Sequence, residues 1–120
     1  MHKELSKYIP KNSISRIAKW IEILQIDLKF VKPRTTKLGD FKYSYKNRLQ
    51  ITINNNLNLY QTLITLVHEI AHAFVYKKYG SKIKAHGKEW KAMYKDLMIN
   101  FLKKIPLNLL TEIISHLIQY

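Results

Sequence analysis

The sequence contains no cysteine, which excludes a disulfide scaffold, a thiolate nucleophile and every zinc site built on thiolates. Any bound metal must therefore be held by histidine and carboxylate. Acidic residues are scarce as well: 8 Asp and Glu against 21 Lys and Arg leave a formal net charge of +13. Such an excess attracts polyanions through counterion release, with nucleic acid the first class of partner and an anionic membrane surface the second. Only three Gly and three Pro punctuate the chain, and 47% of its residues are hydrophobic, which argues for a globular protein rather than a disordered one. No stretch approaches the roughly 18 uninterrupted apolar residues of a membrane span. The N-terminus, Met1-His2-Lys3-Glu4-Leu5-Ser6-Lys7, lacks the apolar centre of a signal peptide. The expectation is a soluble, cytoplasmic monomer of one domain over residues 1–120, a length that supports one core and one site.

What is present is strongly patterned. Ile14, Ile17, Ala18, Ile21 and Leu24 fall at helical spacing, predicting a helix over Ser13 to Gln25 after a turn at Pro10. Leu28 to Val31 reads as a short strand. Phe41, Tyr43 and Tyr45 then alternate with polar residues, as do Leu49, Ile51 and Ile53, and the two runs together predict a hairpin. Asn58 and Gln61 have the spacing of a capping box, so a helix should start at about Leu59 and stop at Gly80. Apolar residues cover most of its circumference, which marks it as buried. A further amphipathic helix runs from Gly87 to Phe101, and Pro106 and Asn108 open a last one over Leu109 to Ile118. With no internal repeat and no linker, the order predicts an α+β domain in which a small, mostly antiparallel three-stranded sheet packs with one buried helix and three others.

Chemistry concentrates inside the buried helix, in His68-Glu69-Ile70-Ala71-His72, an HExxH motif. Positions i and i+4 lie one above the other on a helix, so the imidazoles of His68 and His72 can converge on one metal ion. Glu69 lies about 100° round the helix from His68, beside the metal rather than on it, where it can take a proton from an activated water and later pass it to a leaving amine. The bland alternative, three polar residues of a structural helix, leaves three ionisable groups buried at a cost of several kcal/mol unless something pairs them. A catalytic zinc takes three protein ligands, so a third is required. The extended pattern HExxHxxGxxH fails, since Val75 and Lys78 stand at its Gly and last His positions. Two candidates remain, His86 and, one turn further along the next helix, Glu89.

The pair formed by His68-Glu69-Ile70-Ala71-His72 and His86-Gly87-Lys88-Glu89-Trp90 resembles the HExxH and HGxx(F/W) pair of SprT-like, or Spartan-type, zinc metalloproteases. Lys37-Leu38-Gly39-Asp40-Phe41, the strand ending Ile51-Thr52-Ile53-Asn54, and Leu63-Ile64-Thr65-Leu66-Val67 leading into the motif are similar to that family's order of elements, so the likeness covers about Ser13 to Phe101. The resemblance implies a mini-gluzincin-like fold and one Zn2+ per chain. It implies His68, His72 and His86 as ligands, with Glu69 as the catalytic base. It also implies a polypeptide substrate, in the best-studied members one trapped on DNA, with DNA binding controlling access to the site. Many family members carry a zinc ribbon after the catalytic domain; the missing cysteines lead one to expect a catalytic domain without it.

Charge placement bears on the DNA question. Fourteen of the 21 basic residues fall in two blocks, residues 29–48 and 77–95, with Tyr43, Tyr45, Tyr76 and Tyr79 interleaved. Lysines and exposed aromatics together can grip single-stranded or distorted DNA by phosphate contacts and base stacking, in keeping with a nucleoid-associated protein. The excess of 18 Lys over 3 Arg is the feature that favours the alternative, a merely solvated surface. Strand Leu49 to Ile53 is the expected sheet edge for an extended peptide. His2 and His116 are read as non-functional, and Trp20 and Trp90 as core anchors, Trp90 packing under the metal site. The main rival to a protease is a basic nucleic-acid-binding module with a structural or vestigial zinc. A metallohydrolase acting on nucleic acid itself is the second.

Overall fold

A computed structural model describes residues 2–44, 46 and 48–101 of the chain. The expected last helix and His116 lie outside them. The chain opens with one helical turn, α1 (His2–Leu5), which sequence patterning did not anticipate. Leu5 and Ile9 pin this segment into the core, and a 3-10 turn at Lys11–Ser13 leads into α2 (Ile14–Leu24). The expected stripe of α2 is buried, joined by Trp20. Gln25 ends the helix in the left-handed region at φ 53°, its N–H bonding back to carbonyls of the last turn. That reversal delivers the chain at once into β1 (Ile26–Val31).

β2 (Gly39–Tyr43) and β3 (Leu49–Asn54) form the predicted hairpin in antiparallel register, Phe41 opposite Ile51. β1, however, lies on the far side of β3 and runs parallel to it, Leu28 opposite Ile51. The sheet order is therefore β1-β3-β2, with one parallel and one antiparallel pair. This corrects the expected mostly antiparallel sheet. Alternation within each strand shows which face is apolar, but says nothing about which neighbour a strand selects or in which direction.

The central place of β3 has two causes. One face carries Leu49, Ile51 and Ile53, none more than 2% exposed, beneath the long helix α3 (Leu59–Tyr79). At the end of the strand its polar groups are taken up by Arg34, from the loop between β1 and β2. The guanidinium donates to Thr52 Oγ1 (2.8 Å), Asn54 Oδ1 (2.9 Å) and the Thr52 carbonyl (3.3 Å), while Asn54 Nδ2 donates to the carbonyls of Lys37 (2.8 Å) and Arg34 (3.3 Å). Arg34, counted in sequence among the surface cations, is thus a clip that holds the loop against the sheet.

α3 begins and ends where expected, with the Asn58–Gln61 capping box formed and Gly80 as its C-cap. α4 (Lys88–Ile99) packs across it through Trp90, Tyr94, Leu97 and Met98, and Phe101 follows into the same core. Trp20 closes the other side, edge-on to both Phe74 and Phe101. Both tryptophans are the core anchors expected. No helix of the described residues is long and apolar enough to cross a membrane.

Candidate metal centre

Two turns into the buried part of α3, His68 and His72 point from one face toward the loop that joins α3 to α4. That loop returns His86 to them, so its Nε2 lies 3.0 Å from His68 Nε2 and 3.0 Å from His72 Nε2. His86 takes the left-handed backbone conformation, φ 59°, which non-glycine residues adopt infrequently. Among the described residues these three make the one group of potential ligand atoms lying within 4.8 Å of one another. Glu89, the alternative third ligand, stands outside it. Its carboxylate turns back toward the start of α4, 3.6 Å from where a Gly87 side chain would begin.

The donor set suits a cation. An imidazole nitrogen presents either one hydrogen or one lone pair, so His86 Nε2 can make a good hydrogen bond to only one of its two neighbours. A central ion satisfies all three. Nitrogens about 2.0–2.1 Å from a tetrahedral ion lie about 3.3 Å from one another, close to the separations found. Burial favours the neutral ring, the form a ligand must have, at two of the three: it lowers the pKa of His72 to about 4, helped by His86 and opposed by Asp40, and it lowers that of His86.

The rings are held from behind. Trp90 donates its Nε1–H to the His68 carbonyl at 3.2 Å and lies 4.6 Å from the His68 ring and 5.4 Å from the His72 ring. Phe41 covers the other side, 6.4 Å from His72 and nearly parallel to it.

Glu69 is 7% exposed beside the histidines. Burial is the main cause that lifts its pKa from 4.5 to about 8; Asp40 adds to the rise, while Arg34 and Lys37 oppose it. The carboxylate fits only because β2 crosses α3 at a glycine. A Cβ on Gly39 would lie 3.1 Å from Glu69 Oε2 and 2.8 Å from Thr65 Cγ2. Neither Gly39 nor the Arg34 clip was legible as part of the site in sequence: Gly39 acts through the close approach of its backbone to α3, and Arg34 through a guanidinium that reaches Thr52 and Asn54 only once the strands are in place.

The histidines and Glu69 floor a cleft of about 530 Å3 between β2 and the loop 80–86. Its strand wall is β2, the outer strand, whereas β3, the expected peptide-binding edge, is central. Sequence alternation cannot separate an edge strand from a middle one when each has one apolar face. Of the basic blocks, Lys77, Lys78, Lys82, Lys84, Lys88, Lys91 and Lys95 are exposed. Tyr43 and Tyr79 are 48% and 44% exposed, and Tyr45 lies outside the described residues.

Comparison with known proteins supplies the family. The chain is similar to the protein SprT of Glaesserella parasuis serovar 5 (strain SH0165), 41% identical over 44 residues, which is 37% of this chain and 26% of that protein. The matched stretch thus spans about a quarter of its relative's length. No solved structure matches the chain. The SprT-like family model matches residues 6–110, nearly the whole sequence, and the chain belongs to the SprT-like family.

Proposed function

We propose that the chain is a zinc-dependent endopeptidase of mini-gluzincin type that binds one Zn2+ through His68, His72 and His86. The observation that carries this reading is the convergence of three imidazoles with a buried carboxyl group in a cleft open along a strand edge. Bound there, the ion supplies Lewis-acid activation of water and of the scissile carbonyl. Glu69 acts as the base, accepting a proton from the attacking water and returning it to the leaving amine. Its raised pKa suits a group that must hold a proton between those events.

The substrate backbone pairs with β2. The Asn54 N–H donates to the Leu38 carbonyl and the Ser44 N–H to the Arg48 carbonyl, so the even-numbered residues of this strand face β3. By the alternation of an antiparallel ladder, Gly39, Phe41 and Tyr43 direct their N–H and C=O groups toward the outer edge. An extended polypeptide added there runs past the histidines, held through its main chain.

The test is hydrolysis of an unfolded protein by the zinc-loaded chain and by Glu69→Gln, with zinc content measured in both. Cleavage by the first alone, at equal zinc content, is expected. Equal zinc and no cleavage by either, with or without DNA, would leave the rival reading of a nucleic-acid-binding module with structural zinc. A role on DNA-bound or DNA-crosslinked proteins is supported by the exposed Lys82, Lys84 and Lys88 beside His86. Cleavage stimulated by single-stranded DNA, and losing that stimulation as salt rises, is its signature.

A further inference from the structure

We propose that the end of the cleft built by Phe41, Tyr43 and Tyr76 is a specificity subsite for a large apolar side chain, aromatic above all, of the polypeptide substrate. The inference rests on the peptidase reading and adds a preference to it. The two ends of the cleft differ. Toward the start of β2 the walls are Lys37 and Thr65, near Glu69; toward its end they are Phe41, Tyr43 and Tyr76. At that end the rings form a continuous series. Phe41 lies 6.4 Å from His72 at 12°, and Phe41 and Tyr76 lie 6.1 Å apart. Tyr76 and Tyr43 stack at 4.1 Å and 22°. Tyr43 is nonetheless 48% exposed.

An aromatic wall fixed by its own stacking, yet open to water on one side, gains most by covering that side with another apolar face. Because its members are already locked together, binding costs little further side-chain freedom. The spacing identifies the occupant as part of the peptide. Side chains on one face of a strand recur about every 6.8 Å, and Phe41 and Tyr43, two residues apart on β2, share the face that looks onto α3. A peptide paired along that edge therefore puts a side chain against Tyr43 and Tyr76 within about two residues of the bond lying over His72. A nucleobase is the weaker occupant. Lys84 lines the cleft from the loop side, but the strand's own cation, Lys42, alternates to the opposite face, where it pairs with Asp40 at 3.9 Å.

The experiment maps cleavage sites of the zinc-loaded chain on a mixed peptide library. It then measures kcat/KM for two peptides that differ only by Phe or Ala at the favoured position. The wild type should prefer Phe, Tyr, Leu or Met at one position within two residues of the cleaved bond. The ratio of the two kcat/KM values should fall about tenfold in Tyr43→Ala and be kept in Tyr43→Phe, since stacking rather than the hydroxyl is used. Binding of the same peptides to Glu69→Gln, which needs no turnover, should show the same ratio and the same loss. No apolar preference, or one that survives both Tyr43→Ala and Tyr76→Ala, overturns the subsite. So does loss of single-stranded DNA affinity in these variants with the peptide ratio unchanged, which assigns the rings to bases. A wild type that discriminates between the peptides in binding but cleaves neither refutes the peptidase reading and leaves the subsite standing.

Discussion

Substituting Gly39 by alanine tests the site with a single methyl group. The added carbon would lie 2.8 Å from Thr65 Cγ2, 3.0 Å from Ile53 Cδ1 and 3.1 Å from Glu69 Oε2. Carbon contacts are optimal at about 3.5–4.0 Å, so the methyl overlaps its neighbours on three sides at once. Overpacking of this degree costs about 1–3 kcal/mol, offset by about 0.5–1 kcal/mol because alanine loses less backbone freedom on folding. A net loss of about 1–2 kcal/mol lowers the midpoint of thermal unfolding by about 4–10 °C in a domain of this size. The effect on catalysis should be larger than stability suggests. Of the three neighbours the carboxylate is the one on a flexible stem, so it yields, and a displacement of about 1 Å at a reacting group can cost about 100-fold in rate. The assay measures kcat, KM and zinc content in Gly39→Ala and in Gly39→Ala combined with Thr65→Ser, which removes Cγ2. The double variant should regain most of the stability but not kcat, with zinc content unchanged throughout. Wild-type kcat in Gly39→Ala, or full recovery of kcat in the double variant, would refute the claim that Gly39 places Glu69.

Three other outcomes follow from the same geometry. Chelation should lower the thermal midpoint of the wild type but leave His86→Ala nearly unaffected, because binding stabilises only a fold that assembles all three ligands; a chelator-sensitive His86→Ala would remove that residue from the ligand set. In the metal-free protein the pKa of Glu69 is higher folded, about 8, than unfolded, 4.5, so its protonated form favours folding and that contribution disappears as pH rises toward 8. His72 has the opposite sign, its folded value of about 4 lying below 6.5, so its contribution is complete above pH 6.5 and is lost on acidification. Between pH 6.5 and 8 Glu69 therefore dominates, and urea unfolding should show metal-free wild type losing about 2 kcal/mol that Glu69→Gln keeps; parallel curves would contradict the burial assigned to Glu69. Replacing Arg34 by Met keeps the apolar stem but strips the donors from Asn54 Oδ1 and Thr52, at about 1–3 kcal/mol by denaturant titration. Lysine should not restore it, since one ammonium cannot reproduce the guanidinium fork.

How far the sequence disclosed this arrangement depended on the range of the interaction. Where the information is local, it was readable to the residue. The helix over Leu59–Tyr79 follows from a capping box, an apolar circumference and a glycine stop, and the i,i+4 pair His68 and His72 comes with it. The hairpin follows from alternation. What failed was pairing between distant segments. β1 has enough apolar character to join either strand of the hairpin, and its choice of β3 depends on the loop 32–38 being folded back by Arg34, whose guanidinium in sequence is one positive charge among 21. The misplaced peptide edge is the same failure: once β1 takes the far side of β3, only β2 is left to face the cleft.

Gly87 shows how His86, the expected third ligand, reaches α3 although it comes from a loop. His86 must turn back toward α3 and then release the chain into α4 within one residue, and it does so at φ 59°. The turn closes through the Gly87 N–H donating to the Lys84 carbonyl at 3.1 Å, with a Cβ at position 87 required to sit 3.1 Å from that same oxygen. Glycine at 87 lets the carbonyl approach and leaves the start of α4 without a competing side chain. One turn later Trp90 passes beneath the histidines and fixes the His68 carbonyl. The run His86-Gly87-Lys88-Glu89-Trp90 is therefore one device: a candidate ligand, the residue that permits its backbone to reverse, and the ring that sets its depth against α3. Each part requires a particular side chain, or the lack of one, at a fixed offset, and such a requirement leaves a trace in sequence even where the contact it serves is long-range.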